Sequence, residues 1–312
     1  MHPNERFQGL FIPLVTPFDE KGRLDAESLE RLARYQTGIE GVAGLSACAR
    51  IGEGPVQSVE EKKEVYRIVG KATRAAGKLH IATIFPQSTD EALRIIDDLA
   101  ALPVDAVMVA PPLLLAWGKV HDELKYRFWE DLNNGSKLPL VLFQIPVVNY
   151  QYNADLICRI AKLDKVVAYK EASFNKALFD ETCRKLKAQN SNMQVLTGND
   201  RFVGESYRMG GVGALIGISN VATPRWGQLD IAGRAGQFDK AIALQAELEE
   251  ISNLVFSEPI VEAVARIKII LQHEGLIRTA HVRRPQLGVS KDEQKRLIDS
   301  YQRLVSARAA AE

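Results

Sequence analysis

Cysteine is scarce in this chain. Cys48, Cys158 and Cys183 are an odd number without any C-x-x-C spacing, which argues against a disulfide framework or a thiolate zinc site. A reducing, cytoplasmic setting is the expectation. Long apolar runs are missing too: no stretch approaches the ~20 residues of a membrane-spanning helix. Residues 1–10, MHPNERFQGL, lack the charged-then-apolar pattern of a secretory leader. Charge of one sign is also absent, with 40 Lys and Arg against 39 Asp and Glu and a formal net charge of +1. Nothing electrostatic therefore points to nucleic acid or an anionic membrane as a partner. The histidines, His2, His80, His121, His273 and His281, form no H-E-x-x-H or i,i+4 pair. Neither a metal nor another cofactor is expected.

What remains is the composition of an ordinary globular protein, long enough to bury about three-quarters of its unfolded surface. Apolar runs at 10–15, 42–47, 79–84, 105–110, 138–145, 165–170, 193–197 and 213–218 read as strands. Amphipathic segments separate them, and Ser58 with Glu61 and Ser88 with Glu91 have capping-box spacing. Strands apolar nearly throughout, alternating with helices, indicate a parallel sheet covered on both faces. Eight such strands close a (β/α)8 TIM barrel. A doubly wound open sheet is the competitor, but no G-x-G-x-x-G follows the first strand. The pattern predicts an α/β barrel over residues 1–234 and a C-terminal helical subdomain over 235–312. In the latter, Ile260, Val261, Val264, Ile267 and Ile270 have helical spacing, and Ser290 with Glu293 opens a last helix.

Barrel enzymes carry their chemistry at the C-terminal ends of the strands. The sixth strand ends Val166, Val167, Ala168, Tyr169, Lys170, Glu171. Alternation places Val166, Ala168 and Lys170 on one face, with Lys170 toward the barrel mouth above a small residue. A desolvated amine there loses its proton more easily and can attack a ketone to form a Schiff base. A lysine at a strand end also commonly reaches solvent, and position alone leaves both readings open.

VTPF (15–18), GEGPVQSVEEK (52–62), YKEAS (169–173), LTGND (196–200) and GGVGALIGISNVATP (210–224) stand in one characteristic order and spacing. In these motifs the chain resembles the dihydrodipicolinate synthase / N-acetylneuraminate lyase family of class I, Schiff-base aldolases, over roughly residues 8–300. The resemblance implies a (β/α)8 barrel with a C-terminal helical subdomain, usually tetrameric, acting on pyruvate or a longer 2-oxo acid. It implies Lys170 as the Schiff-base lysine and a substrate contact near Ile218. Asn199 and Asp200 resemble a family loop near the site, with Asn199 the substrate-contact candidate and a structural turn equally open.

The chain also departs from that family. Where members carry G-T-T-G-E or G-S-T-G-E it reads Ala49, Arg50, Ile51, Gly52, Glu53, without the paired hydroxyls. Arg50 is the expected replacement, because a guanidinium holds a carboxylate through two parallel hydrogen bonds. The alternative is an arginine turned outward. In place of Y-N-x-P stands Phe143, Gln144, Ile145, Pro146, and in place of P-Y-Y-N stands Pro111, Pro112, Leu113, Leu114. Both relay tyrosines are absent, and a phenyl ring transfers no proton.

Three explanations stand open. Another proton carrier serves a lyase, with Tyr150, Glu53, Gln144 through water, or a substrate carboxylate as candidates. Or the reaction is a dehydration or deamination of a 3-deoxy-2-oxo acid. Or the chain binds a 2-oxo acid without turnover. The apolar run 110–117, Leu113 included, calls for cover by another copy of the chain or by a substrate with an apolar or aromatic tail. Gly210, Gly211 and Gly213 read as close-packing positions rather than a phosphate cradle, and Cys48 as a small buried thiol.

Overall fold

The computed structural model describes residues 2–116, 118–145 and 151–309. Eight parallel strands form one closed barrel in sequence order: β1 (Gly9–Pro13), β2 (Val42–Ala47), β3 (Leu79–Ile84), β4 (Ala106–Val109), β5 (Leu140–Phe143), β6 (Val166–Glu171), β7 (Gln194–Thr197) and β8 (Gly213–Leu215). The helices between them are α1 (Ala26–Thr37), α2 (Val59–Ala75), α3 (Thr89–Leu99), α4 (Asp122–Gly135), α5 (Ala154–Ile160), α6 (Lys176–Ala188) and α7 (Val203–Arg208), with α8 (Thr223–Arg234) after the last strand. The ring closes where Gly9 pairs with Gly213. A side chain at Gly213 would meet the Gly9 carbonyl oxygen at 2.3 Å, so this glycine serves close packing, as expected.

Local chemistry starts the helices where the sequence indicated. Ser58 and Glu61 complete a reciprocal capping box on α2. Ser88 accepts the Glu91 N–H, while the Glu91 carboxylate reaches Gln87 rather than the Ser88 N–H. The barrel interior is filled by Phe11, Ile81, Met108, Val141, Ala168, Leu196 and Leu215. The outward residues of the same strands, Ile12, Leu45, Val107, Leu142, Tyr169 and Val195, belong to the core shared with the helices. One expectation fails at β6. A register shift pairs Leu140 with Val166 but Val141 with Ala168, so Val167 is an extra residue. It joins Ala168 in the interior while Val166 turns outward; the bulge resets the alternation above which Lys170 sits.

After the barrel come α9 (Phe238–Glu247), α10 (Glu249–Val255), α11 (Ala263–His273) and α12 (Lys291–Ala309). Helix α11 begins later than the apolar spacing suggests. Ile260 and Val261 lie in a short 3₁₀ turn before it and are 41% and 53% exposed. Ser290 caps α12 through the Glu293 N–H, but the Glu293 carboxylate is taken by Arg266. No described helix is long and apolar enough to cross a membrane.

Candidate active site

The C-terminal ends of the strands meet around Lys170. Its side chain follows Ala168 on the inner face of β6, and its ammonium nitrogen lies 4.4 Å from the centroid of the Phe143 ring on β5. On the other side the Lys170 stem rests against Gly198, where a Cβ would stand 3.1 Å from Lys170 Cε. Among the described residues Lys170 Nζ has no hydrogen bond and no carboxylate within 4.0 Å. Burial draws its pKa down to about 8; the carboxylate of Asp200 pulls it back up, and Arg50 adds a further downward push.

Asp200 occupies the inner side of the loop after β7. Its Oδ1 accepts the Ile218 N–H at 3.2 Å. Burial raises its pKa to about 6, against the opposing effect of that N–H and of the Lys170 and Arg50 charges. Arg50 completes the trio from the loop after β2. Its guanidinium is open to solvent at the rim yet crowded by protein, which lowers its pKa, while Asp200 raises it. Beside it Ala49 packs into the interior cluster. The N–H groups of Ala49, Arg50 and Ile51 find no acceptor among the described residues, while the Glu53 and Gly54 N–H groups close the turn onto Arg50 O and Ala49 O. Uncommitted N–H groups in such a turn suit an anion.

The family model of the dihydrodipicolinate synthetase family matches residues 6–304. The chain belongs to that family. Its relatives include a 4-hydroxy-tetrahydrodipicolinate synthase of Ruegeria pomeroyi, 30% identical over 94% of this chain and 97% of that protein. Among solved structures it is similar to a monomeric dihydrodipicolinate synthase variant, with TM-score 0.88 and 26% identity over 97% of this chain and 98% of the other. It is also similar to the dihydrodipicolinate synthase of Thermotoga maritima, with TM-score 0.86 and 25% identity over 96% and 99% of the two chains.

Against the family pattern, several residues expected at this site are engaged elsewhere. Gln144 points away from the mouth: its Oε1 accepts from Tyr152 N and Tyr169 OH, both at 3.0 Å, and its Nε2 faces Glu171. Asn199 likewise turns behind the strands, its Nδ2 donating to Glu171 Oε2 at 2.6 Å and its Oδ1 accepting the Phe174 N–H. Both follow from alternation. Carried past the ends of β5 and β7, the alternation sets Val141 and Phe143 inward and Gln144 outward, and Leu196, Gly198 and Asp200 inward and Asn199 outward. Together Gln144, Asn199 and Ser173 enclose the buried Glu171, whose pKa is raised by burial and held back by the hydrogen bonds from Ser173 and Asn199.

Glu53, expected as a proton carrier, is fully buried and committed. It pairs with Lys268 of α11 and accepts from the Arg283 N–H and Gln286 Nε2, both at 2.9 Å. A carboxylate with three donors is an anchor between the β2 loop and the C-terminal segment. Ile218 is buried with the outer core and reaches the site through its N–H. Leu113 is 58% exposed on a turn after β4, with Leu114 at 71%, rather than packed against the interior. Tyr150 lies outside the described residues. Cys48 is a buried thiol, pushed up to about 12 by desolvation and donating to Gln57 Oε1.

Proposed function

We propose that this chain is an aldolase-type lyase that forms a Schiff base between Lys170 and the carbonyl carbon of pyruvate or a longer 2-oxo acid. The observation that carries the reading is a desolvated amine without a committed partner at the mouth of a closed barrel. At a pKa of about 8 an appreciable fraction is neutral near pH 7 and able to attack a ketone. The addition product loses water, and the resulting iminium draws electrons from the bond beyond the adjacent carbon. Cleavage of that bond leaves an enamine. The Phe143 ring over the nitrogen favours the cationic stage.

The substrate carboxylate fits the turn after β2, where the N–H groups of Ala49, Arg50 and Ile51 lack acceptors and the Arg50 guanidinium adds a bidentate contact. Family membership and the class I aldolase chemistry that the motifs imply support the same assignment. The exposed Leu113 and Leu114 support a homo-oligomer, since cover by a second copy removes that apolar rim from water. Sedimentation at micromolar concentration tests this part, with a dimer or tetramer expected and a monomer contradicting it.

The Schiff base is tested by borohydride reduction in the presence of pyruvate, read by intact mass. One covalent adduct per chain is expected, and no adduct overturns the reading. Cleavage assays on a panel of 2-oxo acids then separate an enzyme from a binder. Trapping without turnover would assign a 2-oxo acid-binding protein instead.

A further inference from the structure

An iminium at Lys170 is of no use without a group that moves the proton on the neighbouring carbon. The family's tyrosine position holds Phe143, which cannot do it, and Gln144 and Glu53 are tied into networks away from the mouth. The charged and titratable groups that face Lys170 are few. Among the described residues β5 offers the Phe143 ring, which is not titratable, the β2 loop Arg50, and the β7 loop Asp200. The β8 end contributes the Ile218 N–H. An arginine is protonated throughout the working range and cannot act as a base. Among the described residues this leaves one carboxylate.

Building on the Schiff-base reading, we propose that Asp200 is the proton carrier of this site, doing from the loop after the seventh strand what the family's usual tyrosine does from the fifth. The placement supports it in three ways. Asp200 is the second inward position beyond Leu196, and the intervening Gly198 lets the Lys170 stem lie directly against β7. The Ile218 N–H fixes one carboxylate oxygen, and apart from Asp200's own N–H no other hydrogen-bond donor holds the group among the described residues. Amine and carboxylate feel each other's charge but stand farther apart than a 4.0 Å ion pair. On this reading the substrate's third carbon lies between them.

The step balances within the site. The Asp200 carboxylate takes a proton from C3 of the iminium; the C–H electron pair becomes the C2=C3 bond, and the C=N π pair moves to nitrogen. The products are a neutral enamine and a protonated Asp200, which returns the proton to carbon in the reverse sense. With its pKa raised to about 6, the carboxyl is a stronger base than an exposed aspartate and is mostly ionised at pH 7.

The test pairs two readouts on Asp200→Asn. The first is borohydride trapping of pyruvate at a pH above the Lys170 range, which reports imine formation and an intact site. The second is exchange of the pyruvate methyl protons in deuterium oxide, followed by proton NMR, which reports abstraction at C3. The variant is expected to trap pyruvate like the wild type while exchange falls at least about 100-fold, the lower end of what a positioned base contributes. In the wild type, exchange relative to the amount of imine trapped at the same pH should climb as pH rises through about 6, and Asp200→Asn should lose that limb. Exchange at the wild-type rate in the variant overturns the proposal. So does loss of trapping together with exchange, which would make Asp200 a group needed to build the imine. A wild-type chain that traps no pyruvate fails the Schiff-base reading itself, a result distinct from either.

Discussion

Lys170 in the barrel mouth and Lys268 on α11 are both buried lysines whose pKa is driven down by desolvation. Each lies over a phenyl ring, Phe143 at 4.4 Å and Phe18 at 4.5 Å. They differ in what surrounds the nitrogen. Lys268 is fully buried, paired with Glu53, and donates to the His281 carbonyl at 2.8 Å. Lys170 is half-buried with no hydrogen-bond partner among the described residues, and its carboxylate, Asp200, stands off beyond contact. A depressed pKa is thus common to an anchor and to a candidate nucleophile. What separates them is access and an uncommitted lone pair.

Stability measurements give the largest expected contrast. Lys268→Met strands the buried Glu53 carboxylate and should cost about 3–5 kcal/mol, read by urea unfolding. Lys170→Met removes a desolvated charge and strands no partner, so it should leave the midpoint unchanged or raised. Equal losses from the two variants would erase the distinction.

Next in size is Arg50→Ala. It should weaken equilibrium binding of a 2-oxo acid by about 1.5–3 kcal/mol, the worth of hydrogen bonds to a charged group. Unchanged affinity in a calorimetric titration would retire the carboxylate clamp. Asn199→Ala frees Glu171 and the Phe174 N–H without touching the mouth. A stability loss of about 1–3 kcal/mol with trapping intact is expected. Loss of trapping at unchanged stability would return Asn199 to the substrate.

The smallest effect is in pH dependence. Because the neutral amine attacks, the trapping rate should rise through about 8 and fall about tenfold per unit below it. Arg50 disfavours the ammonium form and Asp200 favours it. Arg50→Ala should therefore move the limb to higher pH, and Asp200→Asn to lower pH.

The barrel was legible because all eight strands are short apolar runs set apart by amphipathic helices, and period-2 alternation placed Lys170 inward. The same alternation, carried past the ends of β5 and β7, separates Phe143 from Gln144 and Asp200 from Asn199. That signal lay in the LTGND motif, and motif resemblance without alternation favoured Asn199. Other features were not legible. Val167 is one extra residue in β6, set by pairing with β5, which a single strand's pattern does not reveal. Glu53 reads as a mouth carboxylate until α11 and the chain beyond it fold back across more than 200 residues to supply Lys268, Arg283 and Gln286. Ile260 and Val261 have helical spacing, but the helix that buries its apolar residues starts only at Ala263.

The most direct test of the central claim is a digest of the borohydride-reduced pyruvate complex, mapped lysine by lysine. The account predicts the adduct on the peptide containing Lys170 and none on the peptide containing Lys268. An adduct on Lys268, or an unmodified Lys170 in a chain that carries label elsewhere, would contradict it.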